Sequence, residues 1–279
     1  MQKLFRDVSF GTSKLITESY STSFSGAVNY LHPEIRFSIY SIYGFVRLAD
    51  EIVDSFHEYD RKLLLEELEK DYYASIKAGI SLNPILNSFQ ETVRKYNIDE
   101  SLVAAFLESM KTDLVKSDHI SSAEENRYIY GSAEVVGLMC LKVFVKGDNQ
   151  LYDELMEPAK KLGAAFQKVN FLRDIKNDTE LLKRRYFHLT VGKEYTDDIR
   201  KLIIDDILND FDAVMPGIKK LPPEAKTGVL IAYYYYKALL GKISRIPAKQ
   251  QFLKRIRIPD PVKYMILGKA MLVSRLNLI

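Results

Sequence analysis

The segment Leu162-Gly163-Ala164-Ala165-Phe166-Gln167-Lys168-Val169-Asn170-Phe171-Leu172-Arg173-Asp174-Ile175-Lys176-Asn177-Asp178 decides how this chain reads. Its apolar residues Leu162, Ala165, Phe166, Val169 and Leu172 recur at helical steps and share one face. Gln167, Asn170, Asp174 and Asp178 follow at steps of three and four on a polar stripe. Carboxylates one turn apart, such as Asp174 and Asp178, mildly destabilise an isolated helix. A divalent cation removes that penalty. Mg²⁺ takes a few carboxylate oxygens, keeps some waters and binds phosphate oxygens with the rest. Two amides and two carboxylates pointing one way among apolar neighbours mark a site, where a solvated face would carry mixed charges.

The same geometry recurs upstream in Arg47-Leu48-Ala49-Asp50-Glu51-Ile52-Val53-Asp54. Each pair has an arginine close by, Arg47 three residues before Asp50 and Arg173 directly before Asp174. Two such pairs on facing helices would clamp a diphosphate through a small metal cluster. A third pair, Asp206 and Asp210, has the same spacing without a nearby arginine. It is expected to be an ordinary charged surface.

Helical spacing dominates elsewhere. Ile35, Ile39, Ile42, Tyr43, Val46 and Ala49 form one face after Pro33, a residue suited to a first helical turn. Leu102, Ala105, Phe106, Ser109 and Met110 form another after Asp99, a candidate N-cap. The helix of the opening segment is expected to follow Pro158. No sustained apolar/polar alternation and no Asn-Gly hairpin turn occurs. The reading is all-α, roughly ten helices in a single domain over 1–279. An irregular connection is expected at 186–198 and a break at 217–223.

At these residues the chain resembles the squalene/phytoene synthase family. That family has an Arg-x-x-Asp-x-x-x-Asp motif near its start and a Leu-Gly-x-Ala-x-Gln-x-x-Asn-x-Leu-Arg-Asp-x-x-x-Asp motif past its middle, matched by 47–54 and 162–178. Its Ser-x-Ser-Phe element is matched by Ser21-Thr22-Ser23-Phe24, and its Tyr-x-x-Ala-x-x-x-Gly element by Tyr130 to Gly137. Its Arg-x-Tyr element is matched by Arg184-Arg185-Tyr186. The likeness spans about residue 10 to about 270 and is greatest to bacterial phytoene synthases of carotenoid pathways. Tyr20, Glu134, Asn177 and His188 depart from common family residues; Glu134 brings the packing near Tyr130 into question.

The resemblance implies the all-α isoprenoid synthase fold around a central cavity. It implies head-to-head joining of two geranylgeranyl diphosphates through prephytoene diphosphate to phytoene. The alternative is a squalene or dehydrosqualene synthase acting on farnesyl diphosphate. It further implies Mg²⁺, with Mn²⁺ able to substitute, held by Asp50, Asp54, Asp174 and Asp178, with Asn170 near the metals. Arg47 and Arg173 would bind diphosphate or hold the carboxylates, and Tyr130 would face the reacting carbons. Ser21, Ser23, Phe24, Gln167, Asn170, Arg184 and Tyr186 would contact substrate. A non-catalytic relative would have lost metal-binding aspartates, and a terpene cyclase would carry a different second metal motif.

Composition excludes other classes. The 279 residues hold 40 basic and 37 acidic side chains, a near balance that argues against nucleic-acid binding. One cysteine excludes an internal disulfide, and Cys140 reads as a small buried residue. The histidines 32, 57, 119 and 188 lack metal-ligand spacing. No Gly-x-Gly-x-x-Gly or P-loop occurs, which favours a reaction without NADPH. Four successive tyrosines, 233–236, point around a helix and read as packing. The N-terminus has no apolar signal core, and the apolar runs 137–145 and 228–236 are short for a bilayer. The expectation is a cytoplasmic protein with peripheral contact at the inner membrane face. Ten basic residues against Asp260 between Lys237 and Arg275 would attract phosphates, of substrate or of lipid.

Overall fold

The computed structural model describes residues 2–115, 117–118, 121–253 and 255–276. Among these, no strand forms, and a lone bridge pairs Asp118 with Arg185. The described helices are α1 (Gln2–Tyr20), α2 (Thr22–Val28), α3 (Pro33–Asp54), α4 (Arg61–Ala78), α5 (Pro84–Tyr96), α6 (Glu100–Val115), α7 (Ser122–Ile129), α8 (Val135–Val145), α9 (Asn149–Glu180), α10 (Asp197–Lys220), α11 (Pro223–Ser244), α12 (Ala248–Gln251) and α13 (Asp260–Arg275). Their number exceeds the expected ten because short elements such as α2 and α12 carry too little periodicity to read.

Local chemistry sets the boundaries. Ser21 ends α1 and caps α2, its hydroxyl accepting the Phe24 N–H. Pro33 stands at the start of α3. Asp99 accepts the Ser101 N–H at 2.8 Å. α9 starts earlier than expected, capped by Asp148 with Pro158 inside it, and α10 runs through Pro216 and Gly217. The reason is a close crossing: a Cβ on Gly217 would stand 2.4 Å from the Cβ of Pro158. Prolines and a glycine that look like breakers are used where α9 meets α10. Residues 186–196 are irregular as expected, apart from a 3₁₀ turn at His188–Thr190, but the expected connection ends two residues early because Thr196 caps α10 and Asp197 and Asp198 form its first turn. His188 Nδ1 lies 2.6 Å from Glu125 Oε2, tying this connection to α7; His119 lies outside the described residues.

Nearly all the buried apolar side chains form one cluster from Ala27 to Ala270. α3 runs through it, burying Ile35, Ile39, Ile42, Phe45 and Ala49, with Phe45 stacked on Phe89 of α5 at 4.1 Å. α9 packs against α8 on one side and α10 on the other. The α9–α10 seam corrects one expectation. Lys168 donates to Asp206 at 2.5 Å and to Asp210 at 2.7 Å, and Lys161 donates to Asp210 at 2.8 Å. Asp210 is buried, so the third aspartate pair is a clasp between two helices; only Asp206 is surface charge. Burial opposes the charge on Lys168, and its hydrogen bonds to both carboxylates more than offset this, leaving its pKa raised.

Between α7 and α8 the helix widens into a π-turn at Tyr130–Glu134, where the Val135 N–H bonds Tyr130 O. Glycines allow this wide turn to pack. A Cβ on Gly131 would meet Ala105 O at 2.8 Å, and one on Gly163 of α9 would meet Ala133 O at 2.7 Å. Glu134 is thus accommodated beside the close approach of α9. Helix and turn together make a stretch, Ser122–Val145, apolar and long enough to cross a bilayer, although the separate runs read as too short. In its most apolar window 61% is buried, and it walls the cavity described next.

Candidate active site

α3, α8, α9 and α11 enclose a cavity of about 500 Å³. Along α3 its wall is Ile39, Ile42, Tyr43, Val46, Arg47, Asp50 and Asp54. Along α9 it runs from Leu155 through Leu162, Phe166, Gln167 and Asn170 to Arg173, Asp174 and Asp178. One end is therefore apolar and the other carries four carboxylates.

The carboxylate end is strongly negative. Asp54 is the last residue of α3, and Asp178 lies in the last turn of α9. A helix C-terminus carries a partial negative charge, and neither last turn holds a basic residue. Burial, reinforced by Asp54, pushes the Asp50 carboxyl up to about 7. Burial, reinforced by Asp174 and Asp54, pushes Asp178 up to about 8. Asn170 Oδ1 is buried without a hydrogen-bond partner among the described residues.

Arginines partly neutralise this charge. Arg184 donates to Asp54 Oδ1 at 2.6 Å and to Asp113 O at 3.1 Å. Arg173 Nε donates to both Asp174 oxygens at 3.1 Å. Arg255 Nε lies 2.7 Å from Asp174 Oδ1. Arg47 pairs with Glu51 instead of Asp50, and its guanidinium lies over the Tyr20 ring at 4.3 Å. Among the described residues no three carboxylates converge closely enough to share one ion in this arrangement. The donor set nevertheless suits a hard divalent cation: carboxylate and amide oxygens, an unpaired buried Asn170 oxygen, and two helix C-termini short of positive charge.

The expected substrate residues divide. Ser21, Phe24, Gln167, Asn170 and Tyr186 line the cavity, and Phe24 stacks on Tyr43 at 5.0 Å. Ser23 does not line it. Arg184 stands behind the wall, lining a second cavity of about 180 Å³ with Tyr186. Tyr130 is corrected. It does not line the cavity and is 39% exposed, because the cavity stripe of this helix is Tyr128, Ser132 and Val136. Residues two apart on a helix point to nearly opposite sides, so only one of Tyr128 and Tyr130 can face inward.

The inward tyrosine is held in place. Tyr128 donates to Asp113 Oδ2 at 2.6 Å and stacks on Tyr186 at 5.1 Å, which stacks on Phe171 at 4.2 Å. Burial pushes Asp113 up to about 7. Tyr128, Asp113, Arg255, Tyr43 and Tyr236 thus join the site without having been singled out for it. Tyr128 carried one legible signal, its place two residues before Tyr130. Of the four tyrosines 233–236, Tyr236 lines the cavity and stacks on Phe166 at 4.0 Å, whereas Tyr233 is core. Cys140 lies in the cavity wall, its thiol pushed up to about 12 by burial.

Comparison with known proteins gives a consistent picture. Residues 17–261 match the family model described as squalene/phytoene synthase. The chain is 26% identical to phytoene synthase of Arthrospira platensis, over 97% of this chain and 94% of that protein. It is 23% identical to 4,4'-diapophytoene synthase of Staphylococcus haemolyticus, over 82% of this chain and 85% of that protein. The chain spans 64% of the length of chloroplastic phytoene synthase 3 of Zea mays, at 26% identity and with 93% of this chain aligned. It spans 61% of chloroplastic phytoene synthase 2 of Oryza sativa subsp. japonica. Among solved structures, a dehydrosqualene synthase in complex with ligand superposes with a TM-score of 0.83 at 19% identity, over 97% of this chain and 98% of that one. The squalene synthase HpnC of Alicyclobacillus acidocaldarius gives a TM-score of 0.74 at 22% identity, over 86% of this chain and 94% of that one. The bundle has the isoprenoid synthase fold, and the chain belongs to the squalene/phytoene synthase family.

Proposed function

We propose that this chain, acting as a single domain, joins two geranylgeranyl diphosphates head to head through prephytoene diphosphate to phytoene. The observation that carries this reading is the polarity of the cavity: four aspartates at two helix C-termini at one end, and an apolar chamber at the other. Asp50, Asp54, Asp174, Asp178 and Asn170 would hold Mg²⁺ or Mn²⁺. Such an ion, when bound, supplies Lewis-acid stabilisation of the departing diphosphate. Arg173, Arg184 and Arg255, now paired with carboxylates, add positive charge around the same oxygens.

The rest of the wall manages the carbocation. Phe24, Tyr43, Phe166 and Tyr236 offer aromatic faces, which attract cations, and the apolar chamber keeps out water that would trap the cation as an alcohol. Tyr128 is fixed by Asp113 with its oxygen at the carboxylate end of this chamber. The lining along α9 from Asp174 to Leu155 corresponds to about 29 Å of helix, which favours the longer prenyl chain. The alternative, farnesyl diphosphate, has support in the likeness to the diapophytoene and dehydrosqualene synthases.

Incubating the purified protein with each diphosphate and Mg²⁺, with and without NADPH, tests the reading. Forty-carbon hydrocarbon from geranylgeranyl diphosphate alone is expected. Product only from farnesyl diphosphate would transfer the assignment to the alternative.

A further inference from the structure

α13 breaks the rule for a surface helix. Its inner face packs on α11, with Ile266 and Ala270 buried and Ser274 Oγ 2.7 Å from Thr227 Oγ1. The opposite face of a surface helix is normally polar. Here it is apolar: Tyr264 is 72% exposed, Met265 66%, Leu272 56% and, just past the helix end, Leu276 58%. At 100° per residue these four fall within an arc of roughly 120°. A helix apolar on both faces should be buried on both.

The cations around this stripe identify what covers it. Lys269 and Arg275 lie on or beside the same arc, and Arg257 precedes it; all three are exposed. Arg257 and Arg275 make no ion pair among the described residues, and Lys269 rests over the Tyr234 ring at 4.4 Å. The acid of this helix, Asp260, is taken by Lys263 at 3.0 Å. A second copy docked through the same face would set these cations against their own kind. An anionic lipid surface satisfies both halves, taking the apolar stripe among its acyl chains and the cations among its headgroups.

We propose that α13 is an interfacial helix that docks the protein on anionic lipid membranes. Its position relative to the active site is short-tethered. Arg255, which touches Asp174, precedes Asp260 by five residues, at most about 18 Å of extended chain. The proposal stands on this surface and holds for either prenyl chain length.

Flotation of the full chain with phosphatidylcholine vesicles, and with vesicles that also contain phosphatidylglycerol, tests it. The wild type is expected to float with the anionic vesicles and to be released by salt. The exposed pair Met265→Glu with Leu272→Glu should lower partitioning by about tenfold or more, with helicity and melting temperature unchanged. Arg257→Gln with Arg275→Gln should lower it on anionic vesicles only. Wild type that ignores the vesicles, or a glutamate pair that floats like wild type, would overturn the proposal. So would a glutamate pair that splits a wild-type dimer while leaving flotation unchanged, since the face would then belong to a second copy.

Discussion

Asp174 and Asp178 on α9, and Asp206 and Asp210 on α10, share one spacing and meet opposite fates. The α10 pair faces α9 and is met by Lys161 and Lys168, so its charge is neutralised within the protein. The α9 pair faces α3, where the opposing groups are Asp50 and Asp54. Neutralisation there is incomplete, and the carboxyls of Asp50 and Asp178 are pushed up. An i, i+4 pair of acids is therefore neutral information; what distinguishes a site from a clasp is the charge on the facing helix.

The largest expected break in this contrast is at α9. Asp174→Ala should lower turnover by roughly a thousandfold or more, the loss of several kcal/mol of electrophilic stabilisation, while circular dichroism stays that of the wild type. Near-normal turnover would remove Asp174 from the metal set. At the clasp the effect should fall on stability instead. Lys168→Met leaves Asp210 buried with less compensation and should cost about 3–5 kcal/mol by denaturant unfolding, with turnover per folded molecule retained. A silent Lys168→Met would show that the seam gains nothing from its ions.

Two smaller effects sharpen it. Tyr128→Phe should slow turnover by about tenfold or more, through loss of the hydroxyl held by Asp113, whereas Tyr130→Phe should be neutral. Equal effects at both positions would contradict the inward stripe. The metal-free protein should also lose stability as pH rises. Asp50, Asp113 and Asp178 have folded values of about 7, 7 and 8 against an ordinary 3.8, so the folded state binds protons more tightly. Their favourable contribution is present at low pH and is lost progressively as pH rises through 8. Melting of the metal-free chain should drop by several degrees between pH 6 and 8, and Mg²⁺ should flatten that slope. A slope indifferent to Mg²⁺ would separate these carboxyls from metal binding.

Motifs that stay on one helix were legible: both Asp pairs, Gln167 and Asn170 line the cavity as their spacing implied. What depends on a partner element was not. Arg255 reaches Asp174 across 81 residues, and Asp113 meets Tyr128 from a different helix. Lys168 sits inside the most informative motif yet points to the opposite side of α9, toward α10. Tyr130 was singled out by its match to the Tyr-x-x-Ala-x-x-x-Gly element, and such a match leaves the rotational origin of the helix open. The origin here depends on the π-turn, whose wide geometry needs Gly131 and Gly163 beneath it.

That turn has a mechanical meaning for the cavity wall. A helix is a screw, and a single extra residue advances its thread by about 100° for everything downstream. Tyr128 belongs to the thread before the turn, while Val136, Cys140 and Phe144 belong to the thread after it; all four line the cavity. The π-turn lets both threads aim at one chamber, so the wall can bend around its contents without a kink. Removing one residue between 130 and 134 would leave the sequence downstream unchanged and turn that wall out of phase by about 100°.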